Sequence, residues 1–214
     1  MIGTAAGGAA GTGVGALIGH LVGGKSGAKK GAIIGAAAGA AVGVTTGALI
    51  GHKMDKAAKA AKALENAKVE SIEDSNGLPG VKVTFDNGIL FNAGKSTLQA
   101  AAKSTLKQFA TEVLNENPDI DVAICGFASS DGTDETNLKL SQNRADAVSS
   151  FLTGTCKVAG KQVKSSTGYG EDPQFLVYKA DGKTEDVNAS RRVEVYLLAS
   201  DEMIKAAEAE AAKK

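Results

Sequence analysis

The sequence predicts an α+β domain of βαβαβ type, with helices packed on a mixed sheet, preceded by a glycine-zipper α-helical hairpin and a helical linker. Three observations carry this. Of 27 glycines, 16 lie within residues 1–51, whereas all nine aromatics (six Phe, three Tyr) lie between Phe85 and Tyr196. Thirteen glycines, Gly3 to Gly51, recur at a strict spacing of four. After residue 80, short alternating apolar runs interleave with longer stretches of helical period. The expected boundaries are a hairpin over 1–53, a helical linker over 54–76, the domain over 77–200 and a charged helical tail over 201–214.

Charge divides the same way. The 24 basic and 24 acidic residues cancel overall, but residues 1–51 hold only Lys25, Lys29 and Lys30, a net of +3 that leaves −3 for the rest. A neutral total gives no general drive toward nucleic acid, and no nucleic-acid partner is expected.

Four residues advance a helix by about 400°, so the periodic glycines form one slowly drifting stripe. Each interior Gly costs about 1 kcal/mol against Ala, which close approach by a second helix would offset. The polar stretch Gly23–Lys30 breaks the pattern, predicting helices over about 4–22 and 28–53 with a basic tip. Gly31 to Gly51 is uncharged for 21 residues, long enough to cross a bilayer, yet only weakly hydrophobic and without an aromatic belt. Residues 1–53 are therefore expected to associate with a membrane, with a soluble zipper hairpin or homo-oligomer as the alternative. Gly15–His20 recurs as Gly47–His52, but an antiparallel hairpin sets His20 and His52 on the order of 25 Å apart, too far to share a metal. Gly19–Ser26 satisfies the P-loop pattern and Gly11–Ala16 a dinucleotide fingerprint; neither follows a strand, so no nucleotide binding is expected. Met1-Ile2-Gly3 lacks a basic n-region, and the start is expected to be truncated, with the export signal outside this sequence.

Residues 52–70, rich in Ala and Lys, read as a helical stalk. Val81–Phe85 alternates as a strand, Asp86-Asn87-Gly88 reads as a turn, and Ile89–Phe91 as another strand. Ser96 and Gln99 make a capping box ahead of a helix with Leu98, Ala102, Leu106, Phe109 and Val113 on one face, ended by Pro118. A strand through Ile120, Val122 and Ile124, the loop Gly126–Thr133, a helix over about 135–153, and strands near 162–168 and 192–198 complete the layer.

The chemistry falls on the loop and the helix that follows it. The chain has only three arginines, at 144, 191 and 192, and Asn137, Ser141 and Arg144 share one helix face, suited to holding a small carboxylate. The plainer alternative makes Arg144 a surface ion pair with Asp146 or Asp131. No His lies in the domain and no acids show catalytic spacing, so neither an enzyme nor a metal or other cofactor is expected.

Gly126-Phe127-Ala128-Ser129, Asn137, Leu140–Ala145, Gly168–Pro173 and Arg191–Val195 together resemble the OmpA-like domain of bacterial envelope proteins, over about residues 80–198. The glycine segment is similar to zipper regions that some envelope lipoproteins place ahead of that domain. The resemblance implies non-covalent peptidoglycan binding through the diaminopimelate of the stem peptide, by a loop Asp and a helix Arg. It implies Asn92, Phe127, Ala128, Ser129, Asn137, Leu140, Arg144 and Arg191 as site residues. Ser129 stands where the family has its Asp, and Asp131, in the same loop, is the candidate substitute carboxylate; Ser190 likewise replaces an Asn. Cys125 and Cys156 form either a disulfide, if the chain is exported, or two buried free thiols. The expected role is a non-catalytic tether between the outer membrane, through residues 1–53, and peptidoglycan, with the domain in the periplasm. The alternative is an oligomeric pore, or a subunit of an envelope complex fixed to the wall.

Overall fold

The computed structural model describes residues 44–74 and 77–213. The expectations for the first glycine helix, the basic tip, His20 and the two nucleotide-loop patterns lie outside the described residues.

The chain enters on α1 (Val44–Lys62), followed by β1 (Ala67–Glu73), β2 (Pro79–Asp86) and the short α2 (Asn87–Leu90). Next come α3 (Ala100–Phe109), extended by a π-helical turn over Ala110–Leu114, then β3 (Ile120–Phe127) and α4 (Asp134–Ser150), extended likewise over Phe151–Thr155. β4 (Val163–Gly168), the single turn α5 (Val187–Ser190), β5 (Arg192–Ala199) and α6 (Asp201–Ala211) finish the fold. The sheet runs β1-β2-β5-β3-β4, with β3 and β4 parallel and the other pairs antiparallel. A mixed sheet carrying helices is the predicted class.

Strand periodicity sorts the core. Val81, Val83 and Phe85 of β2, Ile120, Val122 and Ile124 of β3, and Val193, Val195 and Leu197 of β5 face the helices in one large cluster. The other face carries a smaller cluster of Ala123, Cys125, Phe127, Tyr196 and Leu198, with Tyr169 and Phe175 of the loop after β4 packed on it.

Several expectations are corrected. The helix expected to end at residue 53 does not stop there, because α1 runs on to Lys62 and buries Ile50, Met54, Ala57, Ala58 and Ala61 in the main core. The repeat glycines it carries lack a helix partner among the described residues: a Cβ at Gly47 would meet nothing within 4 Å, and one at Gly51 only Pro79, at 3.6 Å. No helix among the described residues is long and apolar enough to cross a membrane. Residues 67–73 are not linker helix. Asn66, at φ 63°, turns the chain, and β1 pairs along its length with β2, setting Ala67 and Val69 against the core. Residues 89–91 form no strand of their own. The Asp86 carboxylate accepts from Gly88 N at 2.6 Å and starts a helical turn instead, which buries Leu90 and Phe91. The Ser96–Gln99 box does not form either: α3 begins at Ala100, and the Gln99 amide donates to Gly88 O at 2.9 Å. The charged tail forms the expected helix, capped by Ser200, and it also packs on the core through Met203 and Ala207.

Candidate functional site

Glycine sets the position of α4. An added Cβ at Gly126 would lie 2.2 Å from the Ser141 carbonyl oxygen, and one at Gly168 would lie 2.2 Å from Gln142 N. Only glycine lets the helix lie this close to the ends of β3 and β4. The approach draws the predicted face inward: Asn137 is 5% exposed, Ser141 fully buried and Arg144 3% exposed.

Each of these side chains then ties loops together. The Thr133 hydroxyl caps α4, and Asp134 and Glu135 occupy its first turn, where the helix dipole favours negative charge. Asn137 Nδ2 donates to Ser129 O (3.1 Å) and Asp131 O (2.9 Å) and contacts Glu171 Oε2. Ser141 Oγ accepts from Gly170 N at 2.9 Å and donates to Leu138 O at 2.9 Å. Ala128, itself buried, donates its N–H to Gly170 O at 2.7 Å. The loops after β3 and β4 are thereby joined over the start of α4.

Two guanidiniums sit here in different surroundings. Arg191 donates from Nε to Ser129 Oγ (2.9 Å) and from a terminal nitrogen to Asp131 Oδ2 (2.7 Å). Arg144 makes no ion pair among the described residues, which corrects the reading that set it against Asp146 or Asp131. Its Nε donates to Lys95 O at 3.0 Å, and the guanidinium lies 5.4 Å from the Phe91 ring centroid. Burial first, and the charge of Arg191 second, lower the Arg144 pKa to about 10, so it remains a cation at neutral pH. A buried cation answered by one carbonyl and a ring face is suited to an incoming carboxylate.

Acids surround the loop. Glu185 contacts the Ser130 hydroxyl and accepts from Ser130 N at 3.3 Å. Burial works against its charge, but hydrogen bonds from Ser130 and Ser190 and the charge of Arg191 hold it below the ordinary carboxylate range. Glu171 is pushed upward, chiefly by its hydrogen bond with Asp134.

Not every expected residue faces this place. Ser129, Asp131, Asn137, Arg144 and Arg191 are brought together, and Leu140 is half-buried beside them on α4. Asn92 is exposed and accepts from Lys95 N through its carbonyl. Phe127 points to the other face of the sheet, stacked on Tyr169 at 5.4 Å and covered by Arg192 at 4.2 Å. It is a core ring rather than a wall of the site. Cys125 and Cys156 are free thiols, which corrects the disulfide reading: Cys125 belongs to the smaller cluster, whereas Cys156 packs on the main core across the sheet. Burial raises both thiol pKa values, so neither is an activated nucleophile. Phe91, Lys95 and Glu185 were missed. Lys95 acts through its carbonyl, and nothing in its side chain announces that.

The chain matches the OmpA family over residues 90–191. Residues 90–191 form an OmpA family domain. Among relatives, the chain is 32% identical over 148 residues to the probable lipoprotein YiaD of Escherichia coli, covering 69% of this chain and 64% of that protein. It is 30% identical over 124 residues to outer membrane protein P5 of Haemophilus influenzae, covering 58% of this chain and 32% of that one. The chain thus spans less than two thirds of either relative. The periplasmic domain of Helicobacter pylori MotB superposes with a TM-score of 0.52 at 20% identity, covering 66% of this chain and 84% of that structure, which bears on the fold alone. The OmpA family is one of structural and anchoring proteins rather than enzymes, and OmpA-like domains bind peptidoglycan.

Proposed function

We propose that this domain binds peptidoglycan non-covalently by the diaminopimelate of the stem peptide, and that the chain tethers the outer membrane to the cell wall through it. The observation that carries the reading is Arg144, a buried guanidinium with no carboxylate partner among the described residues, close enough to Arg191, which holds Asp131, to feel its charge. Arg144 receives the side-chain carboxylate of diaminopimelate. Asp131, set by Arg191, faces the ammonium and stands in for the carboxylate that Ser129 lacks. Outer-membrane attachment falls to the glycine-rich segment, in keeping with relatives named as a lipoprotein and an outer membrane protein.

Co-sedimentation of the full chain with purified sacculi tests this. Wild type is expected to pellet with diaminopimelate-type walls and far less with lysine-type walls, which lack that carboxylate. Arg144→Ala should lose one charge-assisted contact, about 1.5–3 kcal/mol, or roughly ten- to a hundredfold in affinity. Equal pelleting with both wall types would refute the assignment of the carboxylate.

A further inference from the structure

On the face of the sheet turned away from the main core, β1, β2 and β5 carry Lys68, Glu70, Lys82, Thr84, Arg192 and Glu194 side by side, in register as Lys68↔Thr84, Glu70↔Lys82 and Thr84↔Glu194. The loop after β4 covers this face only over β3 and part of β5, where Tyr169 and Phe175 pack. What remains is a trough of about 570 Å³, walled by Val177, Asn188 and Ala189 and ending at Arg191. That volume is within the roughly 300–1,000 Å³ of small-molecule sites.

We infer that this trough holds the N-acetylated disaccharide repeat of a peptidoglycan glycan strand, an inference that rests on the reading above. Two features argue for it. The first is continuity: Arg191 lines the end of the trough and also bonds Ser129 and Asp131, so one side chain borders both places. A polymer whose stem peptide is held at Arg144 has its sugar backbone a few residues away. The second is charge. Glu70 lies 2.6 Å from Lys82 and 3.0 Å from Lys68, Glu194 lies 2.7 Å from Arg192, and Arg191 lies 2.7 Å from Asp131. The lining is close to balanced in charge, so an anion meets Glu70 and Glu194, a cation meets Lys82 and Arg192, and either must compete with a standing partner. A neutral ligand bearing hydroxyls and amides need not, since each pair still offers it donors and acceptors, while Val177, Ala189 and Ile89 give its apolar faces contact.

The test is to fill the trough. Thr84→Trp on β2 and Asn188→Trp on the exposed wall place bulk in it while leaving Arg144, Asp131 and Arg191 themselves unchanged. Full-length variants with unchanged Tm are compared with wild type for intact sacculi, the free L-Ala-D-Glu-diaminopimelate tripeptide, and glycan strands stripped of peptide. The expected result is a loss of about tenfold on sacculi, unchanged tripeptide binding, and loss of the wild type's retention of bare glycan. Wild-type sacculus binding matched by both variants overturns the trough alone. Failure of wild type to bind sacculi overturns the underlying reading, and the trough with it. If Thr84→Trp does not fold, Asn188→Trp, at a surface position, carries the comparison.

Discussion

Arg144 is a charge that folding alone would not favour. It is 3% exposed, bonded to one carbonyl, and destabilised as a cation by burial and by Arg191. Replacing such a group by a flexible apolar side chain is often neutral or stabilising. Arg144→Met is therefore expected to weaken sacculus binding roughly ten- to a hundredfold while leaving Tm unchanged or higher, as measured by sedimentation and thermal denaturation on one preparation; a large fall in Tm would make Arg144 a structural residue. Asp131→Asn keeps the loop's shape but removes the charge facing Arg191, and should weaken sacculus binding by about 1–3 kcal/mol. The scarcity of arginine and the i, i+4, i+7 spacing made Arg144 and Asn137 legible in the sequence. The bonds these two make were not, even though Ser129 and Asp131 were expected in the site, because Lys95, Ser129 and Asp131 accept them through main-chain carbonyls, which look alike in every residue type.

At the scale of elements, glycines with one letter do opposite work. Gly126→Ala or Gly168→Ala forces a methyl to 2.2 Å from the α4 backbone, and each should lower stability by about 3 kcal/mol or more in denaturant titration. Gly47→Ala, where an added methyl meets nothing among the described residues, should raise stability by up to about 1 kcal/mol through helix propensity. At Gly47 and Gly51 the period of four therefore does not report close packing against any helix of the described residues. Met203→Ala, in the core against α1, should cost about 2–3 kcal/mol, a loss that a solvated tail would not show. Strands β2, β3, β4 and β5 were legible from alternation. Strand β1 was not, because Ala67-Lys68 continues a run of helix formers, and its conformation is set by pairing with β2.

Across the whole molecule, β1 is the edge that closes the sheet beside the trough, and Glu70 links it to β2. The Lys82 hydrogen bond, against some burial cost and with help from Lys68, holds the Glu70 carboxyl below its ordinary value of 4.5. A depressed carboxyl contributes stability above its unfolded pKa and loses it as pH falls through the folded one. Wild type should accordingly lose more stability than Glu70→Gln as pH drops below about 4.5, by a modest amount, since the pair is partly exposed to solvent. Equal acid sensitivity in the two would detach this pair from the stability of the edge.

The run of α1 from Val44 to Lys62 bears on how force would reach the wall. At 1.5 Å per residue the helix is roughly 28 Å long, and Ile50, Met54, Ala57, Ala58 and Ala61 fasten it to the core along most of that length. Tension that arrives at Val44 meets this helix first. It must peel an entire helix from the sheet before tension reaches β1, so detachment would proceed by losing core contacts in series rather than by straightening a tether.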